Sequence, residues 1–471
     1  MVARITVSHN NALTIEATKE TLNLIDKHFS APDFTDCFIW GKFHKERMKM
    51  IHFLVRSPEV ETMALLPIGF LKELESFLKK QDAVFKTFDN RNPEKLEYTD
   101  EQIRNSLGYL TLYDYQVEAV KACLQNPNGI IKATTAAGKT EMFISLCKLM
   151  NKKTLILFAR IDLAKQTLRR MKKAGLDAGI VQGQNMDENH QVVMATVQSG
   201  HKLNDQYDCI IVDECHRAAG EQYQILLKNK HTLYRYGFSA TPFVKKNKLQ
   251  VTRTMAWLGN IIYEVPAEKL MSEGRIALPT IHMVPVKKPD MIADQQWPFC
   301  ETSGIIENHY RNAIIAEIAN NLKGQKLILV QKIDHGQRLE SLINNSYFLY
   351  GDSDVKEREE YVARFEAGEP ITLIASTIFD EGIDIKTVNH VIITGGGQSF
   401  VKTLQRLGRG LRITETKKHV DIYDFYDWTN PILEKHSKER IKIYRSEGFN
   451  NIKVFKIEEF REDISGDKPC K

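Results

Sequence analysis

The sequence has few cysteines and no cysteine pattern. Its 471 residues hold seven (Cys37, Cys123, Cys147, Cys209, Cys215, Cys300 and Cys470), scattered and with no CxxC pair. That set argues against a disulfide framework and against a zinc site. It fits reduced thiols in a cytosolic interior. No apolar run approaches the ~18 residues of a membrane span. Met1 to Asn10 lacks the basic patch and apolar stretch of a secretion signal. A cytoplasmic protein with no membrane partner is therefore expected. Low-complexity tracts and short repeats are also missing. Neither sign of charge dominates, with 65 basic against 60 acidic residues and a net charge of +5. So mild a bias permits an anionic partner without requiring one, because a groove can be basic on a near-neutral protein.

What is present is the balance of a globular protein: 42% hydrophobic and 27% charged residues. The length suits about three domains of roughly 150 residues. Residues 1–85 read as a small α+β domain, with a strand over Ile51–Val55 and an amphipathic helix over Ile68–Lys79. Residues 86–100, with Asn92-Pro93 and several acids, read as a linker. From about 105 the chain alternates short apolar strands with helical stretches. The strands are Gly129–Ile131, Leu155–Phe158, Val192–Met194, Cys209–Val212 and Tyr236–Phe238. Such continuous apolar runs suit strands buried on both faces of a parallel sheet. Pro279 to Gln296 breaks the rhythm. It restarts with strands at Leu327–Val330, Ile371–Ala375, His390–Thr394 and Val420–Tyr423 and a helix over Lys356–Phe365. The expected organisation is two α/β domains, 101–280 and 281–440, followed by a tail over 441–471.

Ala133-Thr134-Thr135-Ala136-Ala137-Gly138-Lys139-Thr140 follows a strand and opens a helix with an apolar face. This is a phosphate-binding loop in which Ala133 replaces the first glycine. Backbone N–H groups of such a loop cradle anionic oxygens, helped by the helix N-terminus. Ala136, Ala137 and Gly138 would supply the cradle, Lys139 would reach the β- and γ-phosphates, and Thr140 would ligate Mg²⁺. Asp213-Glu214-Cys215-His216 follows another strand, at the edge where α/β sheets bind ligands. Asp213 suits the Mg²⁺ shell and Glu214 suits polarisation of an attacking water. Two acids capping a helix are the plainer alternative. Ser239-Ala240-Thr241 ends the next strand, either as a link to the nucleotide site or as a simple cap. Gln405-Arg406-Leu407-Gly408-Arg409-Gly410-Leu411-Arg412 places Arg409 and Arg412 three apart, within reach of one helix face. Forked guanidinium groups bind phosphate bidentately. A solvated basic helix is the alternative.

In order, these strings resemble the motifs of superfamily-two helicases. Ser376 to Asp384 resembles the family's fifth motif, with Thr377 on nucleic acid, Gly382 permitting close approach and Asp384 at the ribose. Leu112-Tyr113-Asp114-Tyr115-Gln116 resembles the adenine-reading element, with Gln116 as its glutamine and Tyr113 where an arginine is usual. Phe158-Ala159-Arg160 and Ala195-Thr196-Val197-Gln198-Ser199 resemble strand-contacting motifs, which assigns Arg160, Thr196 and Gln198 to nucleic acid. Leu327 to Arg338 resembles the fourth motif. The resemblance covers roughly 110–440, and Leu258 to Pro279 is similar to the XPB-like and restriction-subunit-like branch. It implies an α/β fold of two tandem RecA-like parallel-sheet domains behind the small N-terminal domain. It implies ATP with Mg²⁺ in the cleft between those domains. Lys139, Asp213, Glu214, Arg409 and Arg412 would be catalytic, Gln405 would contact nucleotide, and Ser239 and Thr241 would couple hydrolysis to motion. It further implies a monomeric motor on branched DNA. A restriction or nuclease motor, an RNA helicase and a non-enzymatic nucleic-acid binder are the competing readings.

The N-terminal segment matches none of these motifs. Residues 1–100 carry 14 basic and 15 acidic side chains. Lys42, Lys45, Arg47, Lys49 and Arg56 nevertheless cluster around Trp40, Phe43 and Phe53. Such a set can track phosphates and stack on bases; a solvated hairpin with its aromatics in the core is the alternative.

Overall fold

The computed structural model describes residues 2–8, 11–39, 42–43, 45–91, 93–134, 137–183, 185–243, 247–266, 269–270, 273, 278–286, 296–297, 299–351, 353–376, 388–397, 419–446 and 449–454. At residues 2, 36, 38, 39, 42, 43, 355 and 446 it describes the backbone alone. The chain divides into two compact units, Met1–Val265 and Pro266–Lys471. No helix among the described residues is long and apolar enough to cross a membrane.

The first unit opens with a mixed five-stranded sheet. Its strands run Val55–Arg56, Met63–Pro67, Ala12–Ala17, Val2–Val7 and Val84–Asp89 across the sheet. Leu13, Ile15 and Ala17 alternate inward along the central strand. They meet the buried faces of the helices Lys19–Phe29 and Leu71–Lys80. Val84–Asp89 pairs in parallel with Val2–Val7. The sheet thus runs to residue 89, into the segment expected as a linker. Only its edge position hid it: Val84 and Phe88 stay exposed, so no inward-facing apolar alternation marks the strand. The expected strand Ile51–Val55 is instead two short strands, Lys49–Ile51 and Val55–Arg56, in different sheets.

The rest of the first unit is a parallel seven-stranded sheet. Its order is Ala178–Val181, Val192–Thr196, Thr154–Phe158, Cys209–Asp213, Tyr234–Ser239, Asn128–Ala133 and Ile261–Val265. Thr154–Phe158 and Tyr234–Ser239 are buried at every position; Leu155–Phe158 reads as an unbroken apolar run, whereas Tyr234–Ser239 buries Arg235 among its apolar residues. The strands that sequence reading misses, Ala178–Val181 and Ile261–Val265, are the two edges.

The small sheet and the large one share a core. Ile68, Phe70, Leu74 and Leu78 belong to the same buried cluster as Ala256, Trp257 and Leu258. Gly69 makes this possible: a Cβ there would lie 2.0 Å from the Met255 carbonyl oxygen. Asn11, 4% exposed and left-handed at φ +60°, donates to the Lys230 carbonyl and accepts from the Thr232 amide at 3.4 Å.

The second unit repeats the parallel architecture. Its strands run Ser346–Leu349, Thr372–Ala375, Lys326–Leu329, His390–Ile393, His419–Asp427, Leu278–Val286 and Ile452–Val454. Leu278–Val286 occupies the stretch expected to interrupt the pattern. It pairs with His419–Asp427 over its whole length, but with Ile452–Val454 only at Ile281–Met283. Pro279 and Pro285 fall outside that doubly paired stretch, where a missing N–H need not break the ladder. The helix Pro431–Ser446 and the strand Ile452–Val454 continue the unit past residue 440. The expected tail therefore contains structure, anchored by Arg440 and Tyr444, which both bond the buried Asp424 carboxylate.

Candidate functional site

In a parallel sheet every strand ends at the same edge. In the first unit that edge carries Ala133, Phe158, Thr196, Asp213 and Ser239, the last residues of five strands. The registers Leu157↔Val212, Asp213↔Phe238 and Lys132↔Ser239 hold four of these ends, those of Phe158, Asp213, Ser239 and Ala133, side by side.

Ala133 is buried where the chain leaves its strand. Gly138 then adopts φ +76° and caps the helix Lys139–Met150. That left-handed turn suits glycine. A Cβ there would also lie 2.2 Å from the Gln116 side-chain nitrogen. Lys139 folds back, its Nζ donating to the Ala133 carbonyl at 3.3 Å. Thr140 follows on the first helical turn. Ala136 lies outside the described residues. Glu141, one residue on, pairs with Arg170 at 2.8 Å, a brace that no motif announced. Gln116 is 3% exposed. Its Oε1 accepts from the Tyr113 amide at 2.9 Å, and its Nε2 donates to the Ala137 carbonyl at 3.1 Å.

Glu214 turns off its strand at φ +50°. Its Oε2 accepts from Ser239 Oγ at 3.3 Å and lies 3.4 Å from His216 Nδ1. His216 Nδ1 is also 3.1 Å from Ser239 Oγ, and the Thr241 amide donates to that same oxygen at 3.2 Å. The acidic box and the Ser-Ala-Thr triplet are thus one hydrogen-bonded unit. Gln250 ties both loops from outside, donating to the carbonyls of His216 (3.2 Å) and Pro242 (3.0 Å). Sequence reading missed it, because nothing local distinguishes a glutamine on the helix Lys248–Leu258.

The electrostatics separate the two acids. Burial, then the Glu214 charge, pushes the Asp213 carboxyl well above the usual carboxylate range. Burial works against Glu214 as well, but Lys139, His216 and Ser239 outweigh it and hold that carboxyl low. Such a pair is short of positive charge. A divalent cation would supply it, so the residues present fit Mg²⁺. Among the described residues no cluster of three or more His, Cys, Asp and Glu side chains could hold a metal. Mg²⁺ characteristically uses one or two carboxylates together with substrate phosphates.

Arg160 caps the helix Ile161–Lys173, and its guanidinium is 3.9 Å from Asp162. Thr196 is half-buried and Gln198 exposed at the same edge. Gln405, Arg409, Arg412, Thr377, Gly382 and Asp384 lie outside the described residues, as does Trp40. Lys45, Arg47 and Lys49 are exposed; only the backbone of Lys42 and Phe43 is described. Phe53 packs edge-on against Phe70, with centroids 5.7 Å apart, and lies half-buried against the core. Arg56 donates to Asn23 at 2.7 Å.

Comparison with known proteins follows the same order. A family model described as type III restriction enzyme, res subunit, matches residues 109–244, and one described as helicase conserved C-terminal domain matches 310–414. The DNA 3'-5' translocase XPB2 of Sulfurisphaera tokodaii is 28% identical over 373 residues, covering 68% of this chain and 84% of that protein. The ATP-dependent DNA helicase uvsW of Enterobacteria phage T4 is 24% identical over 442 residues, covering 82% of this chain and 87% of that one. S. cerevisiae Dbp5, solved with RNA and ADP BeF3, shares the fold with a TM-score of 0.54 at 17% identity, over 77% of this chain and 94% of Dbp5. With both helicase models matched in order and two parallel seven-stranded sheets in place, the chain is an ATP-hydrolysing member of superfamily two of the helicases.

Proposed function

We propose that the chain is a DNA motor for branched structures, regressing forks and migrating Holliday junctions in replication, recombination and repair. One observation carries the motor reading: Lys139, Glu214, His216 and Ser239 form one electrostatic and hydrogen-bonded group at the edge of a single sheet. Two relatives described as a DNA translocase and a DNA helicase support DNA as the track. The similarity to the phage helicase covers more of the chain than the motor core, which supports the branched substrate.

In this reading Lys139 and the N–H groups of Ala136, Ala137 and Gly138 hold the phosphates. Thr140 and Asp213 would hold Mg²⁺, which when bound neutralises phosphate charge. Glu214 orients and deprotonates the attacking water. By the family resemblance, Gln405, Arg409 and Arg412 would contact the nucleotide, and Gly382 and Asp384 the ribose and coupling network. Ser239 and Thr241 relay the state of Glu214 toward the strand-contacting Arg160, Thr196, Gln198 and Thr377. The basic side chains Lys42, Lys45, Arg47 and Lys49 would select the DNA structure. The enzyme would act as a monomer in the cytoplasm, that of the host if phage-encoded.

The test is steady-state ATP hydrolysis at fixed salt with single-stranded DNA, duplex, a fork, a four-way junction and single-stranded RNA. Strongest stimulation by fork and junction is expected. Stimulation by RNA alone would keep the motor and discard the DNA track. Lys139→Ala should abolish the stimulated rate; a near-normal rate in that variant would end this mechanism.

A further inference from the structure

Glu141 stands three residues after Gly138, the cap of the helix Lys139–Met150. A glutamate at the third helical position can reach back and accept from the cap residue's backbone N–H, as in a capping box. The positive end of the helix draws a carboxylate the same way. In this helix that N–H belongs to Gly138, one of the groups assigned to the phosphates. The carboxylate is already close, since a Cβ on Gly138 would lie 3.4 Å from Glu141 Oε2. Arg170 holds its other oxygen, with Nη1 donating to Oε1 at 2.8 Å. The Glu141 side chain is 15% exposed and that of Arg170 39%. Arg170 arrives on the next helix, Ile161–Lys173. A second tie between the same two helices runs from Lys148 Nζ to the Ala174 carbonyl at 2.6 Å. The packing of the helices therefore does not hang on the ion pair alone, and the task left to the arginine is electrostatic.

We infer that Glu141 is a built-in competitor of the nucleotide phosphates, and that Arg170 is the positioning residue that neutralises it and keeps it off the loop. This rests on the reading of residues 133–140 as the phosphate loop. Without the guanidinium, the carboxylate is free to take the Gly138 N–H. Its unpaired charge also disfavours an anion entering beside it. Both effects fall on nucleotide binding. Once the phosphates are seated, Lys139 and Glu214 stand as before, so turnover at saturating ATP is spared.

The test is equilibrium binding of a fluorescent ATP analogue to the full chain without nucleic acid, at low and at high salt, beside the nucleic-acid-stimulated rate. Arg170→Gln should weaken binding about threefold to tenfold at low salt. The ratio to the unmodified protein should shrink toward one at high salt, where charges are screened. Its kcat at saturating ATP should stay within about twofold, the mark of lost binding alone. Glu141→Gln should bind at least as tightly as the unmodified protein. Added to Arg170→Gln, it should restore affinity, because the competitor is gone. Arg170→Lys keeps the charge and should keep most of the affinity. A double variant as weak as Arg170→Gln would mean that the arginine serves the loop directly, and overturns the inference. Unchanged binding in Arg170→Gln overturns it too. A partly exposed pair contributes little to stability, so the urea midpoint of Arg170→Gln should barely move. Should that variant fail to fold, Glu141→Gln decides, since weaker binding there means the carboxylate helps the nucleotide and sinks the inference. An unmodified protein that binds no nucleotide would overturn the phosphate-loop reading itself.

Discussion

Glu214 holds a left-handed backbone at φ +50°, a conformation that costs a non-glycine residue about 1–2 kcal/mol. The strain aims its carboxylate back at Ser239 and His216 instead of along the strand. Glu214→Gln keeps most of that geometry and removes the base. It should lower stimulated ATP turnover by about 10³-fold while leaving nucleotide affinity nearly unchanged. Equilibrium binding of a fluorescent nucleotide beside the rate assay separates the two, and parallel loss of binding would point to a merely structural glutamate. His335 is a second residue with a legible consequence. It is 2% exposed and bonds Asn312 at 2.9 Å. Burial, then Arg311 and Arg338, lowers its imidazole to about 3. Between roughly pH 6.5 and 3 the unfolded chain therefore binds a proton that the folded chain refuses. Stability should fall as pH drops through that window, by about 2 kcal/mol at pH 5 from this group alone. Hydrogen exchange in the strand Lys326–Leu329, measured at pH 7.5 and pH 5, should show it. His335→Gln should flatten the dependence, and an unchanged slope would remove His335 as its source.

The helix Pro431–Ser446 is held to its sheet by charge buried in a dry setting. Arg440 and Asp424 are both fully buried and bonded at 2.9 Å. Further bonds run from Arg440 to the carbonyls of Phe425 and Gly396 and from Tyr444 to Asp424. Arg440→Met should destabilise the second unit by about 3–5 kcal/mol, because Asp424 would be left charged and buried beside it. Adding Asp424→Asn should recover a substantial part of that loss in urea unfolding. A double variant no more stable than the single one would mean that packing, not charge, is what the arginine supplies. The same helix explains why a boundary at 440 failed. Its mixed polar sequence looks like a surface segment, yet Arg440 and Tyr444 point inward.

At the scale of the molecule, the N-terminal sheet does not behave as an appended module. Its apolar face, with Ile68 and Phe70, is continuous with Trp257 and Leu258 of the motor sheet. Each such side chain contributes about 1.5–3 kcal/mol by staying out of water. Removing residues 1–89 should therefore leave a first unit that aggregates or unfolds at markedly lower urea, before any question of DNA selection arises. Gly69→Val probes the contact without a truncation, since a Cβ there meets the Met255 carbonyl at 2.0 Å. It should lower stability by about 1–3 kcal/mol, measured by the urea midpoint. A truncated chain as stable as the full one would show that the shared core is dispensable.

The phosphate loop, the acidic box and the Ser-Ala-Thr triplet were legible in the sequence because each is a run of neighbours closing one buried strand. Burial makes such a strand an apolar run, and its parallel partners put every C-terminus on one edge. The strands Ile261–Val265 and Val84–Asp89 were missed because an edge strand is paired on one side only and their side chains carry no clear inward pattern; Ala178–Val181, although largely buried, is a four-residue stretch interrupted by Gly179. Leu278–Val286 was missed because its prolines read as breakers until the partial pairing on one side is known. Contacts between residues far apart in the chain were set by the tertiary structure alone. They include Asn11 to Lys230, Gln250 to His216, and Gln116 to Ala137. The sequence by itself determined which chemical groups exist and at which strand ends they stand. Only the packing decided which of them face one another and which are already committed to the protein, because hydrogen-bond partners at long separation depend on the whole fold closing around them.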